Sequence, residues 1–130
     1  MADTDANWHE IETYRSMMDF GRGMLRFTFL ANGGSIIAVL TFVGNLYSKG
    51  GNVPSMKCPL VLFIIGVFSS GLAGVSTYFI QFTIINENDE EAAKKNHISH
   101  RGWLGITVGL VLVSLLVFTI GAFVAVNRLQ

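Results

Sequence analysis

Only one stretch of this chain groups side chains that could hold a metal or pass a proton. His97 and His100 stand one helical turn apart, with Glu87, Asp89, Glu90 and Glu91 shortly before them. A structural zinc site takes four ligands, and a catalytic one three plus a water. Two histidines in the mixed-charge run NENDEEAAKKNHISHRG fall short of both, and read as ordinary residues at a polar boundary. They titrate near neutrality, but no neighbouring pattern makes them a switch. No spacing sets a serine or cysteine against a base as a nucleophile requires. The glycines match neither a P-loop nor a dinucleotide fingerprint. The expectation is a protein that is not an enzyme and takes no metal or cofactor. A single cysteine, Cys58, excludes an internal disulfide framework.

The elements around these residues are apolar. Leu60–Ile85 contains 26 residues with no Asp, Glu, Lys, Arg or His. As a helix it would reach about 39 Å at ~1.5 Å per residue, against a bilayer hydrocarbon core of ~30 Å. A helix suits lipid because it satisfies its own backbone hydrogen bonds. Two further apolar runs, Phe27–Tyr47 and Trp103–Val126, flank it. Of 130 residues 51% are apolar and 14% charged, with nine basic and nine acidic side chains. That charged share is well below the roughly 25% of a soluble domain. It also leaves no basic face for nucleic acid, whose affinity comes from phosphate neutralisation. The predicted fold class is all-α: a single membrane domain of three transmembrane helices (27–47, 60–85 and 103–126) preceded by an amphipathic helix at 7–23. Residues 1–23 lack the positive start and early apolar run of a signal peptide.

Within the N-terminal segment Trp8, Ile11, Met18 and Leu25 fall near one face, and Glu12, Arg15, Asp19, Arg22 and Arg26 on another. Glu12 can pair with Arg15, and Asp19 with Arg15 or Arg22, at ~0.2–0.5 kcal/mol each. Gly21 and Gly23 weaken a helix by ~1 kcal/mol apiece relative to Ala, which predicts a bend before the membrane. The segment would then lie in the headgroup plane, stand as a stalk, or pack on a neighbouring subunit. Residues 48–59, SKGGNVPSMKCP, form a helix-breaking turn, so the first two spans are antiparallel neighbours. Pro59 suits the first turn of the second span, where a missing N–H is tolerated.

Small residues recur on each span. The first carries Ala31, Ser35 and Ala38 beside Gly34, with Asn32 and Asn45 near its ends, neither suited to acyl chains without a partner. In the second, Gly66, Ser70 and Gly74 repeat every four residues, and Thr77 and Gln81 extend the stripe. The third has a G-x-x-x-G at Gly105 and Gly109, and a second stripe of Thr107, Ser114, Gly121 and Ala125. Small residues let helix backbones approach closely in lipid, where packing drives association. The stripe on the second span reads either as a helix–helix seam or as the wall of a polar path through an oligomer. It contains no ionisable group, which argues against a proton relay. After it, Glu90–Lys94 and Glu91–Lys95 are i,i+4 pairs, and Trp103 marks an interface.

The first span, LANGGSIIAVLTFVGN, set after an amphipathic helix and before two more spans, resembles the start of small, mostly uncharacterised bacterial multi-span membrane proteins. Some of these occur in prophage or defence-associated settings. The resemblance implies a bacterial inner membrane and carries over no catalytic residue. Two functions follow as expectations. One is a homo-oligomeric protein that forms a pore or perturbs the bilayer, holin-like or defence-effector-like, with the second-span stripe lining or gating it. The other is a non-catalytic accessory or scaffold subunit of a larger membrane complex. Its docking residues would be Trp8, Glu12, Arg15, Asp19, Arg22 and Arg26 with Lys94 and Lys95. A transporter is disfavoured, because three spans show no inverted repeat and no mid-membrane charge.

Orientation follows from basic residues, which favour the cytoplasmic side. An N-terminus inside places Arg15, Arg22, Arg26, Lys94, Lys95 and Arg101 there, with polar loop 86–102. Lys49, Lys57 and Arg128 are left outside with the C-terminus. Cys58 then faces outward as an interfacial thiol, an intersubunit disulfide being the lesser reading. In intact cells, an impermeant thiol reagent is expected to label Cys58 from outside. Labelling only after the cytoplasmic face is opened would invert the topology.

Overall fold

The computed structural model describes residues 2–87 and 100–129. It is all-helical: α1 runs over Ala2–Ser48, α2 over Lys57–Glu87 and α3 over His100–Leu129. Each of the three contains a segment long and apolar enough to cross a membrane: Ile11–Ser48, Lys57–Thr83 and Arg101–Leu129. The segment at 7–23 is the first part of α1. The helix continues through Gly21 and Gly23 where a bend was expected. Glycine taxes a helix but keeps its N–H, so the hydrogen-bond ladder survives; proline would break it, and α1 contains none. At ~1.5 Å per residue α1 is about 70 Å long, more than twice the hydrocarbon thickness. Of the region expected as a polar loop, 86–102, Asn86 and Glu87 end α2, His100 to Gly102 open α3, and residues 88–99 lie outside the described ones.

Burial is inverted relative to a water-soluble bundle. Among the described residues the buried polar side chains are Thr28, Asn32, Ser69, Ser70, Ser76, Thr83 and Ser114. Of apolar side chains only Met56, Pro59, Phe63 and Ala73 are equally enclosed among these residues. Large apolar side chains such as Leu30, Phe68, Leu116 and Phe123 are more than 60% exposed. In water this surface would be costly. Lipid accepts it, and the polar groups it excludes are turned inward, as expected for an integral membrane protein.

The seams follow alternating steps of three and four. On α2 Phe63, Gly66, Ser70 and Ala73 are buried. On α3 the inward positions include Thr107, Leu110, Ser114 and Gly121, and on α1 Leu25, Thr28, Asn32 and Val39. This ~3.5-residue spacing keeps one face on its partner, as in left-handed bundles. The α2–α3 pair packs along its length; at one end Phe79 stacks on Trp103 with centroids 4.8 Å apart and planes at 16°. Lower on the same pair, Phe63 meets Phe118 at 6.1 Å. A Cβ on Gly121 would lie 2.9 Å from the Phe63 ring, so that ring needs glycine beneath it. By contrast α1 packs less closely on its partners, and from Trp8 to Gly23 its side chains are exposed apart from Glu10, outside the side chains described, and half-buried Met18.

The α1–α2 turn is built on Gly50, whose φ is +67°. Its N–H bonds the Tyr47 carbonyl at 3.1 Å, and the Gly51 N–H bonds that of Leu46 at 3.0 Å. This paired geometry is the Schellman ending, with Gly50 at the left-handed position. Met56 and Pro59 are buried beyond it, fixing the return. Gly50→Ala is expected to cost ~1–2 kcal/mol from the left-handed penalty, and Gly50→Asn clearly less. Thermal unfolding in detergent, read by helical circular dichroism, checks the order.

Candidate functional site

The three helices meet at one polar cluster. Ser70 lies 13 residues after the start of α2 and Ser114 lies 14 after that of α3. At ~1.5 Å per residue each is about 20 Å along a helix of some 45 Å, near mid-height. In lipid no water reaches that level, so hydroxyl and amide groups must find partners in protein.

They do so as a chain. Asn32 on α1 is wholly buried, and its Nδ2 donates to the Thr28 carbonyl at 2.9 Å and to Ser114 Oγ at 3.0 Å. Ser114 and Ser70 hydroxyls are 2.8 Å apart. Ser70 Oγ donates to Thr28 Oγ1 at 3.1 Å, and Thr28 Oγ1 to the Leu25 carbonyl at 3.1 Å. One direction of donation, Asn32 to Ser114 to Ser70 to Thr28 to Leu25, uses each hydroxyl proton once. The Gly66 carbonyl is a second acceptor, 3.0 Å from Ser70 Oγ and 2.9 Å from Ser114 Oγ. Two proton arrangements therefore share one set of oxygen positions. Chains of this kind polarise one another where the dielectric is low.

The cluster has one flaw. Asn32 Oδ1 is buried with no hydrogen-bond donor. The Asn32 amide is pressed against the Cα of Gly66, so a Cβ there would overlap it. That overlap lies along a Cα–H direction, so the Gly66 Cα–H points at Oδ1. Such a contact returns ~0.5–1 kcal/mol, against ~1–3 kcal/mol for an unsatisfied buried acceptor.

Of the residues singled out from sequence, Gly66, Ser70 and Ser114 converge here, and Gly121 sits under Phe63. Thr77 is half-buried and returns its hydroxyl to the Ala73 carbonyl at 3.0 Å. Gly74 and Gln81 face outward. Counting in fours advances about 40° per step at ~100° per residue, which carries Gly74 off the face that Gly66 defines. Gly105 and Gly109 lie on the outer side of α3, away from Ser114, and nothing in the protomer comes within 4 Å of a Cβ at either. Trp8, Glu12, Arg15, Asp19, Arg22 and Arg26 are exposed on α1; Lys94, Lys95 and His97 lie outside the described residues. Among the expected ion pairs Arg22–Asp19 is present at 3.7 Å, both side chains mostly in the open. Cys58 is free and exposed.

Thr28 and Asn32 complete the cluster; Thr28 was not among the sequence candidates, and Asn32 was marked only as needing a partner. The available signal was a carboxamide in an apolar run, which demands a partner. That partner, Ser114, is 82 residues away. Among the described residues no group of three or more His, Cys, Asp or Glu could hold a metal. No family model, curated protein or solved structure matches the chain.

Gly66→Ala is expected to force α1 off α2, at ~1–3 kcal/mol for an overpacked site. Asn32→Ala removes the amide's bonds to the Thr28 carbonyl and to Ser114, worth ~0.6 kcal/mol each in membrane proteins, and vacates the space an alanine at 66 needs. The double variant should therefore be more stable than the sum of the single losses. Additive losses in detergent unfolding would show that the amide and the glycine do not share space.

Proposed function

We propose that the protein is a membrane protein that works as a homo-oligomer, opening or perturbing the bilayer. The observation that supports this is an imbalance among the glycines. Gly50 serves a turn, and Gly66 and Gly121 admit a neighbouring side chain. Gly34, Gly44, Gly71, Gly74, Gly105 and Gly109 are exposed, and a Cβ on any of them would meet nothing within 4 Å. Each costs a helix ~1 kcal/mol relative to Ala, with no return inside the protomer. Close backbone approach by another helix gives that return in lipid, and a second copy is the partner always present in the same membrane.

A second reading, an accessory subunit, draws on the N-terminal part of α1. There Trp8, Tyr14, Met17 and Phe20 are more than 55% exposed, beside the charged side chains from Glu12 to Arg26. That reading expects the protein to be unstable, or lost, when made alone.

Crosslinking in native membranes separates the two. The oligomer reading expects a ladder ending at a defined size, and release of a small dye from vesicles carrying the purified protein. Gly105→Leu with Gly109→Leu should shift the ladder toward the monomer by at least tenfold, about 1.4 kcal/mol, while leaving the helical signal unchanged. A strictly monomeric wild-type protein removes this reading.

A further inference from the structure

We infer that the seam between α1 and the α2–α3 pair is the gate of the assembly, with Asn32 as its latch; this rests on the oligomer reading above. Among the described residues, the buried polar side chains near mid-height are Thr28, Asn32, Ser70 and its neighbour Ser69, and Ser114. The outer face at the same level carries Phe29, Leu30, Phe68, Leu72, Leu112 and Leu116, all exposed and apolar. A water path along that face would have no polar side chain to lean on. A path along the seam would be lined by one amide and a set of hydroxyls, once α1 moves aside.

The seam is suited to parting. The α2–α3 pair packs closely, while α1 packs less closely on either of its partners. Among the described residues the seam contains the one buried side-chain atom without a partner, Asn32 Oδ1. Water admitted to the seam would give that oxygen its missing donor and would accept the protons of Ser70 and Ser114. The closed form thus forgoes a hydrogen bond that the open form makes. The lining is uncharged, so the open path would pass small solutes of either charge sign, limited by size.

Single cysteines on a Cys58→Ser background test this in vesicles during dye release. Thr28→Cys and Ser114→Cys replace a buried hydroxyl by a thiol, and Thr119→Cys on the exposed side of α3 is the control. An impermeant thiol reagent is expected to label positions 28 and 114 and to abolish release, leaving position 119 unlabelled. Should one variant fail to fold, the other carries the test, on opposite sides of the seam. Release that continues with both positions unlabelled overturns the gate while leaving the oligomer reading intact. A crosslinked oligomer that never releases dye overturns both the pore and its gate.

Discussion

The placement of one carboxamide governs this architecture. In water, Asn32 could be solvated almost anywhere; at mid-height in a bilayer its amide has to be enclosed by protein. Enclosure fixes the rest. The amide bonds Ser114 of α3 and sits on Gly66 of α2, which can have no side chain there. The hydroxyls of Ser70 and Ser114 then close the chain to Thr28. A sliding shift of α1 by one residue would rotate Asn32 by about 100° and present it to acyl chains. A handful of polar atoms thus sets helix register in a bundle whose apolar surfaces, bathed in lipid, have little power to do so.

This explains why the inside of the protomer is small and polar and its outside large and apolar. Among the described residues seven polar side chains are buried, and five of them are serine or threonine on α2 or α3: Ser69, Ser70, Ser76, Thr83 and Ser114. Such residues carry little volume and can return a hydroxyl to their own helix, as Ser76 does to Leu72 at 2.9 Å and Thr83 to Phe79 at 2.8 Å. They allow close approach and leave few polar groups without a partner. Between the described helices, rings pack where a small neighbour makes room, as Phe63 does over Gly121, or where they stack on each other, as Phe79 does on Trp103.

Much of this was legible in the chain, and the remainder was hidden for identifiable reasons. Three apolar runs separated by polar ones announce three helices, because only a helix satisfies its backbone in lipid. The stripe Thr107, Ser114, Gly121 on α3 was visible because steps of seven hold a face. On α2 the eye follows Gly66, Ser70 and Gly74, whereas the packed face runs Gly66, Ser70, Ala73; alanine hides in an apolar segment and steps of four drift around the helix. The continuity of α1 was obscured by weighing two glycines against a helix that had no proline to stop it. Asn32 was noticed as a residue in need of a partner, but which one is a question of tertiary placement that no local pattern answers.

The unpaired Oδ1 links packing to function. A single protomer could have closed this seam with alanine at both 32 and 66, with no amide at risk. It instead keeps an amide that leaves one acceptor idle, at ~1–3 kcal/mol, opposite a glycine that costs its helix ~1 kcal/mol more. Two such costs at one contact are easier to understand if the contact has to open than if it only has to hold. The same reasoning applies outside, where Gly105 and Gly109 weaken α3 without serving the protomer. On the proposed reading, an inner seam that parts and an outer face that meets a neighbour are complementary features. Association on the outer face of α3 would hold α2–α3 as the fixed unit, and α1, the less closely packed helix, would then be the one to move.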